Sequence, residues 1–229
     1  MRAHRQVDGG QTNARRRVLI VDDHELIREG IAAVIAREPD LLVCGSVGHE
    51  HAAANLMERN QPDVVVLDLL LGNRDGIHLL KEFVARFPPT RVLALSILDE
   101  EIHAERALRA GAAGYLMKSA SAHQLITAVR TVLSGAIYMS ARHALLAHGK
   151  QMRSSLSDND TSVGLLSDRE LHIFQLIGAG LGTGRIAEEL GLSRKTIESY
   201  RENIKLKLGY PHAKALSRGA TDWVRSMER

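Results

Sequence analysis

The sequence predicts an α/β fold, an open parallel sheet with helices on both faces, followed by a small all-α domain. Up to about residue 135, five short apolar runs alternate with segments whose apolar residues recur at helical spacing. The run at 63–68, DVVVLD, is apolar on both faces, as a central parallel strand should be. From residue 164 onward, only helical patterns separated by Gly-containing turns remain.

The elements of the first part follow in a regular order. Strands are predicted at 18–21, 41–45, 63–68, 91–96 and 113–117. Helical spacing follows the first four strands, at 25–35, 52–57, 77–84 and 100–110. Ser121 and Gln124 match a capping box that opens a fifth helix through Leu133. Repeated βα units of this kind build a parallel sheet, whose ligands bind beyond the carboxyl ends of the strands.

The C-terminal part is predicted to be helical throughout. Ser167 and Glu170 match a second capping box, and the helix that they open is broken at 178–184. Next comes a short helix (RIAEEL) with Thr183 as its cap. A GLS turn connects it to a longer helix capped by Ser193, and a last helix spans about 212–227. Two helices joined by a tight Gly turn form a helix-turn-helix, whose second helix enters a DNA major groove.

Composition narrows the function classes. The chain has 229 residues, enough for one or two domains, and its 3% aromatic content argues against an aromatic stacking platform. The single Cys44 excludes an intrachain disulfide and a Cys-rich zinc site. No secretory signal or apolar run of ~18 residues is visible, so we expect a cytoplasmic protein with no membrane partner.

Charge and composition indicate the domain organisation. Residues 18–135 hold 16 acidic and 11 basic side chains, whereas 164–229 hold 11 basic and eight acidic ones. This asymmetry suggests two units with different partners. We expect a disordered basic tail at 1–17, an α/β domain at 18–135, a linker at 136–163 and a DNA-binding domain at 164–229. Within the linker, residues 141–148 are compatible with a short helix.

Polar side chains stand where the predicted strands end. Asp22 and Asp23 end the first strand, Asp68 the third and Ser96 the fourth, and Lys118 follows the fifth. Taken singly, each has an ordinary structural explanation as a cap, a turn residue or a solvated end. Together, three carboxylates suit Mg²⁺, and a hydroxyl and an ammonium supply donors for an anion beside it. The set is suited to a phosphoryl group on a carboxylate.

These motifs resemble a known family. The segments VLIVDDHELIREG, VVVLDLLLGNRDG, LALS and GAAGYLMKS resemble the receiver domain of bacterial two-component response regulators across residues 18 to about 135. The resemblance implies a flavodoxin-like sheet of strand order 2-1-3-4-5. It also implies that Asp68 accepts a phosphoryl group from a sensor histidine kinase, and that Asp22, Asp23, Asp68 and the backbone carbonyl of Leu70 hold Mg²⁺.

The same resemblance assigns a switch. It implies that Ser96 and Lys118 bind the phosphoryl group, and that Ser96 and Tyr115 change position with phosphorylation. Two positions depart from the family pattern: Gly72 and Ser119 stand where many receivers have Pro. Both lie in loops that line the pocket, so these departures concern loop rigidity and not the reacting side chains.

The C-terminal segment LLSDRELHIFQLIGAGLGTGRIAEELGLSRKTIESYRENIKLKLGY resembles the LuxR-type helix-turn-helix of the NarL/FixJ family. The resemblance implies that the base-facing residues are Lys195, Glu198, Ser199 and Glu202. It places nearer the DNA backbone Thr196, Arg201 and Lys205. Glu198 could accept a hydrogen bond from cytosine N4. The final helix, Lys214–Trp223, matches the family's dimerisation helix, and Tyr200 stands where many relatives have His.

Receiver, linker and output domain together imply a phosphorylation-controlled transcription regulator. The expected partners are a sensor histidine kinase, double-stranded DNA, a second copy of the chain and, as a further option, RNA polymerase. We hypothesise that the unphosphorylated receiver covers the recognition helix or its dimer face. Two alternatives stay open: a constitutive DNA-binding protein with an idle receiver, and an aspartyl-phosphate phosphatase. Such phosphatases usually carry a second acid two residues after the nucleophile, where this chain has Leu70.

Overall fold

A five-stranded parallel sheet organises the first half of the chain. The structure, a computed structural model, describes residues 15–72, 76–140 and 163–227. The strands are β1 (Arg16–Val21), β2 (Leu41–Val47), β3 (Val64–Asp68), β4 (Arg91–Ser96) and β5 (Gly114–Met117). They lie in the order β2-β1-β3-β4-β5, which confirms the predicted fold class.

Five helices cover the two faces of this sheet. They are α1 (Glu25–Ile35), α2 (Glu50–Asn60), α3 (Gly76–Arg86), α4 (Glu100–Arg109) and α5 (Ala122–Leu133). One apolar core joins the sheet to α2, α3 and α4, and a second joins it to α1 and α5. Because β3 lies at the centre, all five of its residues are buried, as the doubly apolar run predicted.

The first strand begins earlier than the sequence predicted. Arg16 and Arg17, assigned to the basic tail, pair with Leu41 and Leu42 of β2. The reason is Asp63, whose carboxylate accepts hydrogen bonds from the Arg17 amide at 2.7 Å and the Arg16 guanidinium at 2.9 Å. The prediction that the tail extends to residue 17 is therefore wrong for these two residues. Residues 1–14 lie outside the described part.

The connector also begins later than predicted. Tyr138, placed in the linker, forms a parallel bridge to Gly114 at the edge of β5. Its carbonyl accepts from the Tyr115 amide at 3.1 Å, and the Ser140 amide donates to Glu100 Oε1 at 2.8 Å. Residues up to 140 are thus fastened to the sheet domain. The predicted short helix at 141–148 lies outside the described residues.

The C-terminal unit contains a 3₁₀ turn (Val163–Leu165) and helices α6 (Asp168–Gly178), α7 (Thr183–Glu189), α8 (Arg194–Lys207) and α9 (Ala213–Met227). The capping box of Ser167 and Glu170 is present, and the Ser193 hydroxyl accepts from the Thr196 amide as predicted. Thr183 is not a cap, because the helix begins at this residue and Gly182 precedes it. Within 15–72, 76–140 and 163–227, no helix is both long and apolar enough to cross a bilayer.

Candidate functional site

Three acidic side chains, those of Asp22, Asp23 and Asp68, meet at the carboxyl edge of the sheet. Asp22 follows β1 and Asp68 ends β3, and both are fully buried. The strand pairing sets this meeting, since Val21 lies opposite Leu67 and Asp68 lies opposite Leu95. The structure therefore brings together the carboxylates that the sequence placed at separate strand ends.

Lys118 completes the cluster from the neighbouring edge. Its amide donates to the Ser96 carbonyl at 2.8 Å, which fixes its backbone beside β4. Its Nζ lies 2.9 Å from Asp68 Oδ2 and 2.6 Å from Asp22 Oδ2. The side chain of Lys118 is only 5% exposed, so this ammonium is committed to the two carboxylates. One cation among three carboxylates leaves an excess of negative charge.

The environment of Asp68 opposes its ionised form. Burial raises the pKa of the Asp68 carboxyl, and the Asp22 carboxylate adds to this effect. The Lys118 ammonium and the Leu70 amide, which donates to Asp68 Oδ1 at 2.9 Å, act in the opposite direction. A second cation at this point would therefore favour the carboxylate form of Asp68.

The donor set fits a divalent cation. One ligand atom from each of Asp22, Asp23, His24 and Asp68 lies within 4.8 Å of the others. Carboxylate oxygens are the ligands that Mg²⁺ prefers, and the excess negative charge of this cluster calls for a cation. His24 was not among the predicted ligands, although it directly follows the acidic pair; its Nδ1 lies 2.8 Å from Asp23 Oδ1. The carbonyl of Leu70 remains a predicted ligand.

Gly72, which follows Asp68 by four residues, has a backbone conformation that glycine allows. Gly72 has φ +57°, in the left-handed region, and a Pro at this position could not adopt that angle. Its amide donates to Asp23 Oδ2 at 2.9 Å, a bond that Pro could not make. At the far side of the loop, a Cβ on Gly76 would lie 2.3 Å from the Leu69 carbonyl oxygen. The local backbone therefore requires a residue other than Pro at position 72, where many receivers have Pro.

Ser96 and Tyr115 meet at the backbone of Leu98. The Ser96 Oγ accepts from the Leu98 amide at 3.2 Å, and the Tyr115 hydroxyl donates to the Leu98 carbonyl at 2.9 Å. Both side chains are fully buried, and burial raises the pKa of the Tyr115 hydroxyl far above its ordinary value. The predicted switch pair therefore shares one backbone segment, the start of the β4–α4 loop.

The output domain rests on α4 of the sheet domain through a buried polar contact. Asp168, at the start of α6, lies with its Oδ1 3.2 Å from Arg106 Nε and 3.4 Å from His103 Nδ1. His103 and Asp168 are fully buried, and Arg106 also donates to the Leu166 carbonyl. Ile102 packs against the apolar core of the helical domain. Sequence reasoning did not find this contact, because its two sides lie some 60 residues apart in the chain.

Helix α8 is the second helix of the helix-turn-helix and is the predicted recognition helix. It presents polar side chains to solvent. Ile197 and Ile204 of α8 are buried in the helical core, and Lys195, Glu198, Ser199 and Glu202 are exposed. Partly exposed positions are held by Thr196, Arg201 and Lys205. Burial lowers the pKa of the Arg201 guanidinium, and Lys205 Nζ lies 2.6 Å from Glu202 Oε2. A shallow depression on this helix is lined by Lys195, Thr196 and Ser199 together with Tyr200 and Asn203, and Asn203 is not among the predicted DNA-binding residues.

Within the part of the chain that the structure describes, the receiver leaves the polar face of α8 uncovered. The four residues predicted to face bases are exposed, and Lys214 and Arg218 of the predicted dimerisation helix α9 are exposed as well. The interdomain ion pairs and hydrogen bonds found in the described residues involve α6 and the turn that precedes it. In the described residues, the receiver thus leaves the side chains predicted to face bases uncovered, and shielding of this helix or of the dimer face in the unphosphorylated state stays a prediction.

Comparison with known proteins gives two matching families. The response regulator receiver domain matches residues 18–130, and the bacterial regulatory proteins of the luxR family match residues 164–219. The chain is 30% identical over 204 residues to the transcriptional regulatory protein DegU of Brevibacillus brevis, covering 83% of this chain and 86% of DegU. It is 34% identical over 196 residues to the oxygen regulatory protein NreC of Staphylococcus carnosus (strain TM300), and the match covers 84% of this chain and 90% of NreC.

A solved structure matches about three fifths of this chain. The two-component response regulator of the LuxR family from Aurantimonas sp. SI85-9A1 superimposes with a TM-score of 0.56 at 29% identity. The match covers 61% of this chain and 99% of that chain.

Proposed function

The chain belongs to the NarL/FixJ family of two-component response regulators, which are transcription regulators, and from this premise we propose that Asp68 accepts a phosphoryl group from a sensor histidine kinase. One observation carries the proposal. Asp68 is a fully buried carboxylate at the end of β3 that faces the Lys118 ammonium at 2.9 Å beside two further carboxylates.

The reaction is a transfer between two nucleophiles. An Asp68 carboxylate oxygen attacks the phosphorus of a kinase phosphohistidine, the O–P bond forms as the N–P bond breaks, and the electron pair stays on the imidazole nitrogen. Asp22, Asp23 and Asp68, with the carbonyl of Leu70 as a predicted further ligand, would hold Mg²⁺, which would neutralise charge on the transferring phosphoryl oxygens. Lys118 then pairs with a phosphoryl oxygen, for which its position between the buried carboxylates is suited.

Ser96 and Tyr115 would transmit the modification. To donate its hydroxyl to the phosphoryl group, the Ser96 side chain would rotate toward Asp68, and its oxygen would leave the position in which it now accepts from the Leu98 amide. Because Tyr115 also holds Leu98, any displacement of this segment reaches the aromatic ring and the start of α4. Moving a two-state switch from 1:99 to 99:1 needs ~5.5 kcal/mol, within reach of a few charge-assisted hydrogen bonds.

Helix α8 would bind DNA and so provide the output of the regulator. Lys195, Glu198, Ser199 and Glu202 would face base edges, with Thr196, Arg201 and Lys205 nearer the phosphates. Two copies would pair through α9 on adjacent half-sites in the cytoplasm, where RNA polymerase is the expected further partner. The exposure of all four base-facing residues supports this assignment.

Labelling tests the acceptor directly. Full-length protein is incubated with Mg²⁺ and a small acyl-phosphate donor, and peptide mass spectrometry locates the adduct. We expect a base-labile phosphoryl group on Asp68 that is absent from Asp68→Asn and unchanged in Asp40→Asn, which alters a surface ion pair with Arg130. An adduct at another residue, or none in wild type, would contradict the proposal.

DNA binding by variants tests the recognition helix. Lys205→Ala should weaken binding by a similar factor on all sequences and reduce the salt dependence, whereas Glu198→Ala should relax base preference at one position. The measurement is affinity for a selected operator and for base-substituted operators at fixed salt. A sequence-selective loss from Lys205→Ala would reverse these roles.

A second candidate function is constitutive DNA binding with an idle receiver. The observation that favours it is the open recognition helix, which no receiver contact shields in the described residues. Unchanged target-gene regulation in Asp68→Asn cells would support this candidate. The phosphatase alternative has no support at Leu70, which is an apolar side chain, 5% exposed, where a second acid would be needed.

A further inference from the structure

The output domain reaches the phosphorylation pocket itself. Arg169, the second residue of α6, donates from its guanidinium to the Gly72 carbonyl at 3.0 Å. Gly72 belongs to the loop that follows Asp68, so a cation of the DNA-binding domain is hydrogen-bonded to the segment directly after the acceptor strand. A hydrogen bond from a charged donor is stronger than one between neutral groups.

Gly72 connects this cation to a predicted metal ligand. The carbonyl of Gly72 faces Arg169, and its amide donates to Asp23 Oδ2 at 2.9 Å. The residue has φ +57°, and among the described residues, apart from its chain neighbours, no atom lies within 4 Å of where its Cβ would be. Two hydrogen bonds hold the polar groups of this residue, one on its amide and one on its carbonyl. One leads to the output domain and the other to the acidic pocket.

The position of Arg169 is itself fixed by its neighbour. Asp168 is buried against His103 and Arg106 of α4, which anchors the first turn of α6 on the receiver. Arg106 holds the preceding turn through the Leu166 carbonyl. The docked output domain thus presents the Arg169 side chain to the acceptor loop as part of a rigid helix start.

We propose that Arg169 is a positioning residue for the phosphorylation site: by holding Gly72 it fixes the Asp23 carboxylate, so that metal binding and phosphoryl transfer at Asp68 depend on docking of the output domain. The inference rests on the proposed function and deepens it. Coupling between binding sites is reciprocal, so occupation of the pocket strengthens docking by the same factor by which docking strengthens occupation.

Divalent-cation affinity of the full-length protein tests this inference. Titration with Mn²⁺, followed by electron paramagnetic resonance, gives a dissociation constant that does not depend on phosphoryl chemistry. Arg169→Gln should weaken Mn²⁺ binding about fivefold, as expected for the loss of one hydrogen bond of ~1 kcal/mol. Arg169→Lys, which keeps a cationic donor, should stay within about twofold of wild type. The matched control is Arg185→Gln, which alters an exposed Arg that pairs with Glu188 on α7.

Phosphoryl labelling supplies the second measurement. The initial rate with a small acyl-phosphate donor at sub-saturating Mg²⁺ should fall in Arg169→Gln and recover at high Mg²⁺. Wild-type Mn²⁺ affinity and labelling rate in Arg169→Gln would overturn the positioning role and leave the acceptor assignment intact. A wild-type protein that neither binds Mn²⁺ nor becomes labelled would overturn the proposed function and this inference together.

Discussion

Replacing Asp168 by Asn should loosen the docking of the two domains. The side chain of Asp168 is 1% exposed, and its Oδ1 is the anion that faces both Arg106 Nε at 3.2 Å and His103 Nδ1 at 3.4 Å. Asn keeps the size of the side chain but removes its charge. The variant therefore leaves a guanidinium in a buried interface without its anionic partner.

The magnitude follows from burial. Removing one partner of a buried ion pair costs ~3–5 kcal/mol when the other charge stays uncompensated. Arg106 is 25% exposed and still donates to the Leu166 carbonyl, so water and this carbonyl offset part of the loss. We expect about 2 kcal/mol of docking free energy, which is roughly a 30-fold shift toward the undocked arrangement.

Hydrogen–deuterium exchange measures this shift on both sides of the interface. Peptides covering α4 should exchange faster in Asp168→Asn, and those covering α2 should not change. The control is Asp222→Asn, which alters an exposed pair with Arg218 on α9. Faster exchange confined to α6, with α4 unaffected, would mean that Asp168 stabilises only its own helix and would refute the reasoning.

Three further predictions concern single residues. Because burial raises the pKa of Asp68 above its ordinary value of 3.8, its ionised form costs folded-state stability. In thermal unfolding without divalent cations, Asp68→Asn should be more stable than wild type at neutral pH. This difference in stability should disappear as the pH falls below 3.8, the ordinary pKa of an aspartate side chain. Equal stability of the two proteins at all pH values would contradict this prediction. Burial lowers the pKa of His172 from 6.5 to about 4, so its neutral form contributes stability above pH 6.5 that is lost as the pH falls toward 4. In denaturant titrations, His172→Gln should lose less free energy of unfolding than wild type between pH 6.5 and pH 4. An identical loss in the two proteins would contradict the lowered pKa of His172. Gly76→Ala should destabilise the protein by about 3 kcal/mol in denaturant titrations, because the new methyl group meets a backbone carbonyl; a wild-type midpoint would show that the loop can shift.

The sequence predicted what depends on local pattern. The apolar run before Asp68 identified a central strand, and parallel strands necessarily bring their carboxyl ends to one edge. Asp68, Asp22 and Lys118 therefore meet as the strand ends predicted. The capping boxes at Ser121 and Ser167 were equally readable, because their hydrogen bonds join residues three apart.

What escaped prediction depends on contacts distant in sequence. Arg16 joins β1 because of Asp63, which lies 47 residues away, and Arg169 reaches Gly72 across 97 residues. A periodic pattern contains no information about such pairs. The docking of α6 on α4 is of the same kind, since neither His103 nor Asp168 stands out in a sequence of ordinary amphipathic helices.

The most direct test of the central claim is the affinity of full-length protein for its operator, at fixed salt, with and without Mg²⁺ and a small phosphodonor. Phosphorylation should tighten binding of wild type, and Asp68→Asn should bind equally under both conditions. If wild type and Asp68→Asn respond alike, modification of this carboxylate does not control the recognition helix.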